Sequence, residues 1–304
     1  MLKGELNLRK NAETQGFVYG FLGVLGFSLT LPASREAVPF FGPIIIGFGR
    51  ALIAAVIALT VLLVRNETRP SRNQLVSLAL VGLGAIIAFP YLSAWAMDRL
   101  PASHGAVILA LLPLATAGAA TLRNGERPSI GFWVAGVVGA ATVLGYAVVS
   151  GLGRLQPADL ALVLADIILA FSYAEGGRLA TTLGGWQVIA WALVITAPFL
   201  IIPVSISISS SFLRIPAIPW LSLMYLGIGS QFLAFVAWYT GLSMGGVARV
   251  SQIQYLQPFL TILFSAVLLR EKITVATIVA TMIAVFVVIM GKRATVRRVP
   301  KLDS

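Results

Sequence analysis

Apolar residues in this chain come in long blocks separated by short polar interruptions. Ten blocks lie near residues 16–34, 40–64, 74–97, 102–122, 129–150, 157–179, 185–205, 217–242, 247–269 and 273–291. Each approaches the roughly 20 residues that a helix needs to cross hydrocarbon. Inside a bilayer a helix satisfies its own backbone hydrogen bonds, so the pattern predicts an all-α integral membrane protein with ten transmembrane helices. The edges least defined by the pattern fall around the serine run 205–211 (SISISSS) and the prolines at 216 and 219.

The blocks repeat. Residues 109–128 read LALLPLATAGAATLRNGERP, and residues 254–273 read QYLQPFLTILFSAVLLREKI on the same plan. An offset of 145 carries Pro113 onto Pro258 and Glu126 onto Glu271, with 13 residues from proline to glutamate both times. The same offset pairs Ser77 with Ser222, Leu78 with Leu223, Gly82 with Gly227 and Gly84 with Gly229. It also pairs Ile108 with Ile253, Leu111 with Leu256 and Thr116 with Thr261. Identities on Gly, Pro and Glu are rarer by chance than those on apolar residues, so the chain reads as an internal duplication. The division expected is a five-helix repeat over residues 1–150 and a second over 151–304, the latter ending in a basic cytoplasmic tail. Five is odd, so the halves enter the membrane in opposite senses. Two inverted five-helix repeats are the architecture of secondary transporters.

Composition agrees. The chain is 58% hydrophobic and 11% charged, against about 25% charged for soluble domains. The net charge of +11 would suggest nucleic acid in a soluble protein. Here the basic residues sit between the apolar blocks and in the tails, a signature of topology, and no nucleic-acid partner is expected. Alternating loops collect fifteen Lys and Arg on the side of the N-terminus and six on the other, with Arg50 left inside a block. Both termini are therefore expected in the cytoplasm. The polar residues 1–15 are not followed by the small-residue cleavage site of a signal peptide. There is no cysteine and one histidine, His104, which argues against thiolate or histidine metal sites. The run GFLGVLG at 20–26 lies inside a block and is no nucleotide loop. No cofactor is expected. No two acids lie within one helical turn inside a block, so the constellation of an intramembrane enzyme is missing.

The five-plus-five plan, the proline-bearing helices, the glutamate turns and the glycine-rich GERPSIGFWVAGVVGA at 125–140 resemble the EamA family of the drug/metabolite transporter superfamily. Arg50, in GFGRALIAAVIAL at 47–59, resembles an arginine carried in the second span of its members. The resemblance implies a cavity enclosed by helices one to four and six to nine, with five and ten outside. Among members the likeness is closest to exporters of aromatic amino acids, which implies efflux of aromatic and other neutral amino acids through the inner membrane. The seventh span departs from the pattern, with Trp191 or Ala192 where Arg50 would repeat.

Candidate cavity residues are the polar and aromatic groups inside the spans. Arg50 can attract a substrate carboxylate, or tie helix ends together by pairing with an acid such as Asp166. Asp166 can bind a substrate ammonium or take a coupling proton, or serve packing. Tyr91 and Trp95 in span three, with Phe235, Trp238 and Tyr239 in span eight, can wall a cavity or belong to the interfacial belt. Trp191 and Trp186 carry the same ambiguity. Gln252, Gln254 and Gln257 crowd the start of span nine, where amides are costly unless they face a wet cavity or one another. Ser28, Ser172 and Tyr173 offer hydroxyls to a substrate or to the backbone. His104 is expected solvated near an interface, and Glu175 paired locally with Arg178. Pro113 and Pro258 bend two matched helices and are hinge candidates. The Gly16-x-x-x-Gly20 and Gly241-x-x-x-Gly245 pairs, and Gly131, Gly136 and Gly139, predict close helix packing.

Overall fold

The computed structural model describes residues 2–124, 155–245 and 250–293, with isolated positions between 130 and 149. Among these residues every regular element is helical. The first half contains α1 (Leu2–Ser28), α2 (Thr30–Ile44), α3 (Arg50–Val64), α4 (Arg72–Val81), α5 (Phe89–Met97), α6 (Ala102–Leu109) and α7 (Leu112–Asn124). The second contains α8 (Pro157–Leu183), α9 (Gly185–Ile206), α10 (Ala217–Met224), α11 (Phe235–Gly245), α12 (Gln257–Leu268) and α13 (Val275–Arg293). Wider π turns over Ile45–Gly49, Gly82–Ala88 and Tyr225–Ala234 join α2 to α3, α4 to α5 and α10 to α11.

Among the described residues, six helical stretches are long and apolar enough to cross a membrane: Thr14–Val64, Arg72–Met97, Ala102–Leu122, Pro157–Leu183, Gly185–Ile206 and Ala217–Gly245. The first has 51 residues, about 76 Å of helix against roughly 30 Å of hydrocarbon. It is broken at Gly42, whose φ of +75° and ψ of 164° are not helical. Pro39 and Pro43 flank that residue, and each removes a helical N–H. The predicted boundary between the first two blocks, 34–40, thus moves to Gly42, because the chain stays helical through Phe41. The fifth block and Glu126 lie largely outside the described residues, as do Gly131, Gly136 and Gly139.

Other ends follow from local chemistry. Ser71 and Gln74 form a reciprocal cap at the start of α4. Gln156 and Asp159 do so for α8, with Pro157 at its first position. Between α8 and α9 the chain turns on Gly184 at φ +101°. Large apolar side chains such as Val56, Leu63, Val76, Leu122, Phe199, Ile202, Leu221 and Val267 face outward on many of these helices. Water would penalise so wide an apolar surface, and lipid does not.

Packing is reciprocal between the halves. α1 lies along α11 and also touches α12, while α8 lies along α4–α5 and also packs on α7; α3 packs on α9. α1 and α11 cross where the two glycine pairs meet. A Cβ on Gly16 would stand 2.6 Å from the Gly245 nitrogen, and one on Gly241 would stand 2.7 Å from the Gly20 nitrogen. The predicted small-residue packing is therefore one crossing that uses both pairs.

Candidate functional site

α8 is the axis of the site, with Asp166, Ser172 and Tyr173 buried along it. The π turns bring the other elements to it. Gly82–Ala88 and Tyr225–Ala234 sit one repeat offset apart, and both hold the glycine pairs found in the sequence. Such wide turns recur at functional sites because they disturb the regular ladder of backbone bonds. Polar side chains tie these turns across the fold. Gln231 Nε2 donates to the Ala85 carbonyl at 3.0 Å, and the Ser172 hydroxyl to the Val81 carbonyl at 3.1 Å. The Tyr225 hydroxyl donates to the Gly26 carbonyl at 2.5 Å, and the Thr30 and Ser230 hydroxyls bond at 2.7 Å.

Arg50 opens α3 directly after a π turn and is 1% exposed. Its Nε and Nη1 meet no hydrogen-bond partner among the described residues. Asp166 is 2% exposed, and both of its carboxyl oxygens are likewise unmatched. Of the two readings open for Arg50, the pairing with Asp166 is not formed among the described residues. Tyr173 lies within electrostatic reach of both groups, with Tyr239 beside it, and Tyr225 lies within electrostatic reach of Arg50. A buried charge without a partner costs several kcal/mol or more, so these two groups are suited to meet opposite charges on something that enters.

Around Tyr173 stands an aromatic box. Its ring centroid is 5.4 Å from that of Trp238, 6.1 Å from Phe235, 6.3 Å from Phe27 and 6.5 Å from Tyr239. Phe27 and Phe235 meet edge-on at 4.8 Å. Trp238 is fully buried, yet its Nε1–H finds no described acceptor. The same holds for buried polar atoms of Trp191, Gln231, Ser34 and Thr261, and for both amide atoms of Gln254. Gln257 is buried, and the side chain of Gln252 lies outside the described residues.

The remaining candidates lie elsewhere, and one expectation, that for His104, is corrected. Tyr91 of span three stacks on Phe48 at 5.1 Å, while span three meets span eight through the Gln231–Ala85 bond. Trp95 lies under the exposed Arg99 guanidinium at 4.1 Å, which places it at a rim. Trp186 lies similarly under Arg65 at 5.2 Å. The Ser28 hydroxyl is spent on the Val24 carbonyl at 2.7 Å, and that of Ser172 on Val81. His104 is not solvated: it is 5% exposed and bonds Asp159 across helices at 2.7 Å. The local Glu175–Arg178 pair forms at 2.5 Å. Pro113 follows an irregular turn at Ala110–Leu111 that separates α6 from α7. Pro258 follows a 3₁₀ turn over Ser251–Leu256 that leads into α12. The matched prolines therefore follow matched disturbances of the helix.

The sequence profile of the EamA-like transporter family matches this chain twice, over residues 14–148 and again over residues 156–290. This chain belongs to the EamA-like transporter family. As a member it is a multi-pass membrane protein of the transporter class. It is 41% identical over 286 residues to the uncharacterized transporter YdeK of Bacillus subtilis (strain 168), covering 93% of this chain and 98% of that one. It is 24% identical over 280 residues to a probable terminal-alkyne amino-acid exporter of Streptantibioticus cattleyicolor, covering 91% and 93%. A crystal structure at 20% identity superposes with a TM-score of 0.62 over 91% of this chain and 97% of its own, a likeness of fold.

Proposed function

We propose that this EamA-like transporter exports amino acids, aromatic and other neutral ones, from the cytoplasm by alternating access. The observation that carries the reading is the pair of buried ionisable groups with unmatched polar atoms, Arg50 and Asp166, both within electrostatic reach of Tyr173, whose ring is packed among other aromatic rings. A zwitterion supplies a carboxylate for the guanidinium and an ammonium for the carboxylate, and each new bond is charge-assisted. Rings of the box receive an apolar or aromatic side chain. Polyphosphate substrates would call for several cations, and Arg50 is the one buried Lys or Arg among the described residues. The amino-acid exporter among the relatives is consistent with this chemistry.

In the same reading the chain forms ten spans in two inverted five-helix repeats, residues 1–150 and 151–304, embedded in the bacterial inner membrane with both termini cytoplasmic. The doubled family match and the reciprocal packing of α1 and α8 support the repeat. Rocking of the two halves about the site would expose it to each side in turn, and differential affinity for the two openings sets the direction. Pro113 and Pro258 are the hinges.

Blocked analogues test the zwitterion. Phenylalanine binding to the detergent-purified protein, followed by calorimetry, should be lost for both phenylalanine methyl ester and N-acetylphenylalanine. Each analogue removes one charge and is expected to bind at least about thirtyfold more weakly. Equal affinity for all three compounds would contradict the assignment of Arg50 and Asp166.

A further inference from the structure

We propose that Glu271 is the latch of an outer gate, holding the first turn of α6 against the turn between α12 and α13, and that outward opening requires its release. The proposal rests on the alternating-access reading above. Its geometry is independent of any substrate. Glu271 Oε1 accepts the Ala102 N–H at 2.8 Å. Oε2 accepts the Ser103 N–H at 2.9 Å and the Ser103 hydroxyl at 2.5 Å. The first N–H groups of a helix have no partner within it, and the end carries partial positive charge. A carboxylate from 168 residues away therefore completes α6, and it does so across the two halves of the chain.

The turn that presents Glu271 is shaped for this contact. Arg270 adopts φ +54°, an uncommon left-handed conformation for a residue with a side chain. The Glu271 N–H then closes back on the Ser265 carbonyl at 3.3 Å, at the end of α12. α6 and α12 pack side by side below the turn. The strained residue and the long-range cap thus fix the same helix pair at one end.

A second tie sits one residue further on. His104 bonds Asp159 Oδ1 at 2.7 Å, and Asp159 Oδ2 accepts the Gln156 N–H at 2.8 Å. This tie joins α6 to the start of α8 and is buried. Glu271, in contrast, is only partly buried. It lines a cleft of about 380 Å³ together with Arg99, Ser103, His104, Tyr146 and Lys272. Bonds at the edge of a polar cleft can be exchanged for water; His104 borders the same cleft, but its partner Asp159 is only 1% exposed, so breaking that bond would strand a buried carboxylate. Glu271 is therefore the releasable contact and His104 the fixed one. At its other end the eight-residue α6 meets the irregular turn before Pro113. It is a short rod with a latch at one end and a break at the other.

The chain has no cysteine, so a single introduced thiol reports alone. Ser34 suits the purpose, since it is fully buried and its hydroxyl has no described partner. One turn before it, Leu31 touches α6 at Gly105. Full-length Ser34→Cys protein would be treated with a membrane-impermeant maleimide, in intact cells and in inverted vesicles. Adding Glu271→Ala should speed labelling from outside about tenfold, as a two-state equilibrium shifts when charge-assisted bonds are lost. Glu271→Gln should give an intermediate rate, and inverted vesicles no increase. Equal rates with and without the Glu271 substitutions, in protein that is monodisperse and normally inserted, would overturn the latch. An increase confined to inverted vesicles would overturn its outer placement. If Glu271→Ala fails to accumulate, Ser103→Ala removes one bond of the three, and an unchanged rate in both it and Glu271→Gln is equally contrary. A chain that moves no amino acid would sink the export reading and leave this comparison intact.

Discussion

Arg50→Ala is expected to leave a folded, inserted protein that no longer exports amino acids. The two halves of that result have one cause. A buried arginine held by a carboxylate stabilises its neighbours, and deleting it strands the partner at a cost of about 3–5 kcal/mol. Arg50 has no such partner among the described residues, and neither does Asp166. Removing the guanidinium therefore strands nothing and relieves a desolvated charge. The thermal midpoint in detergent should stay the same or rise, as it does when a site built for function rather than stability is simplified. Efflux should fall at least about thirtyfold, the lower edge of what losing one partner of a buried charged contact costs. Arg50→Lys keeps the charge without the planar fork and should recover only part of the rate. A lower midpoint with efflux intact would assign Arg50 to structure and remove it from the site.

Gly241→Leu should act in the opposite way, on folding first. α1 and α11 approach so closely that even a methyl group on Gly241 would meet backbone atoms of Gly20 and Gly16 at under 3.2 Å. Backbone cannot rotate aside as a flexible side chain would. The helices must separate, and Trp238 and Phe235 on α11 would move away from Phe27 on α1 with them. The loss expected is at the upper end of overpacking, about 3 kcal/mol. Thermal unfolding of the purified variant, with its yield in monodisperse form, measures it. An unchanged midpoint would mean that the crossing is looser than drawn. Gly241→Ala, the smaller insult, should fall between the two.

How far the chain could be read beforehand depended on the kind of interaction. Apolar blocks report membrane helices directly, because the bilayer imposes their length and their internal hydrogen bonding. The glycine pairs were legible for a related reason, since close crossings need small residues at that spacing. That they would meet one another, however, is a tertiary fact between residues 16 and 245. Gly82, Gly84, Gly227 and Gly229 stood out as repeated identities, but nothing in their spacing distinguishes a π turn from an ordinary helical one.

Partnerships between distant charges were not legible. His104 looked solvated because its partner Asp159 lies 55 residues away and reads, locally, as the cap of α8. Arg50 and Asp166 looked like a natural pair, yet each keeps its own ligand positions open. Polar residues in a membrane announce themselves by their cost, and only the fold says which contacts meet it. The aromatic rings show the same limit: Trp238 and Trp95 both sit near span ends, but one is buried against Tyr173 and the other lies under Arg99. Glu271 was visible as a repeated residue, while its role as a cap on α6 required the approach of two turns from opposite halves.

The most direct test of the export reading is flux. Purified protein would be reconstituted into liposomes loaded with labelled phenylalanine, tryptophan, threonine or methionine, and release followed with and without an imposed pH gradient. Release above protein-free liposomes, abolished by Arg50→Ala and favouring the apolar and aromatic substrates that fit beside Trp238, is the result predicted. No release of any of the four under either condition, from protein that is correctly folded and inserted, would contradict amino-acid export and turn the search to drugs, nucleotide sugars and lipid-linked substrates.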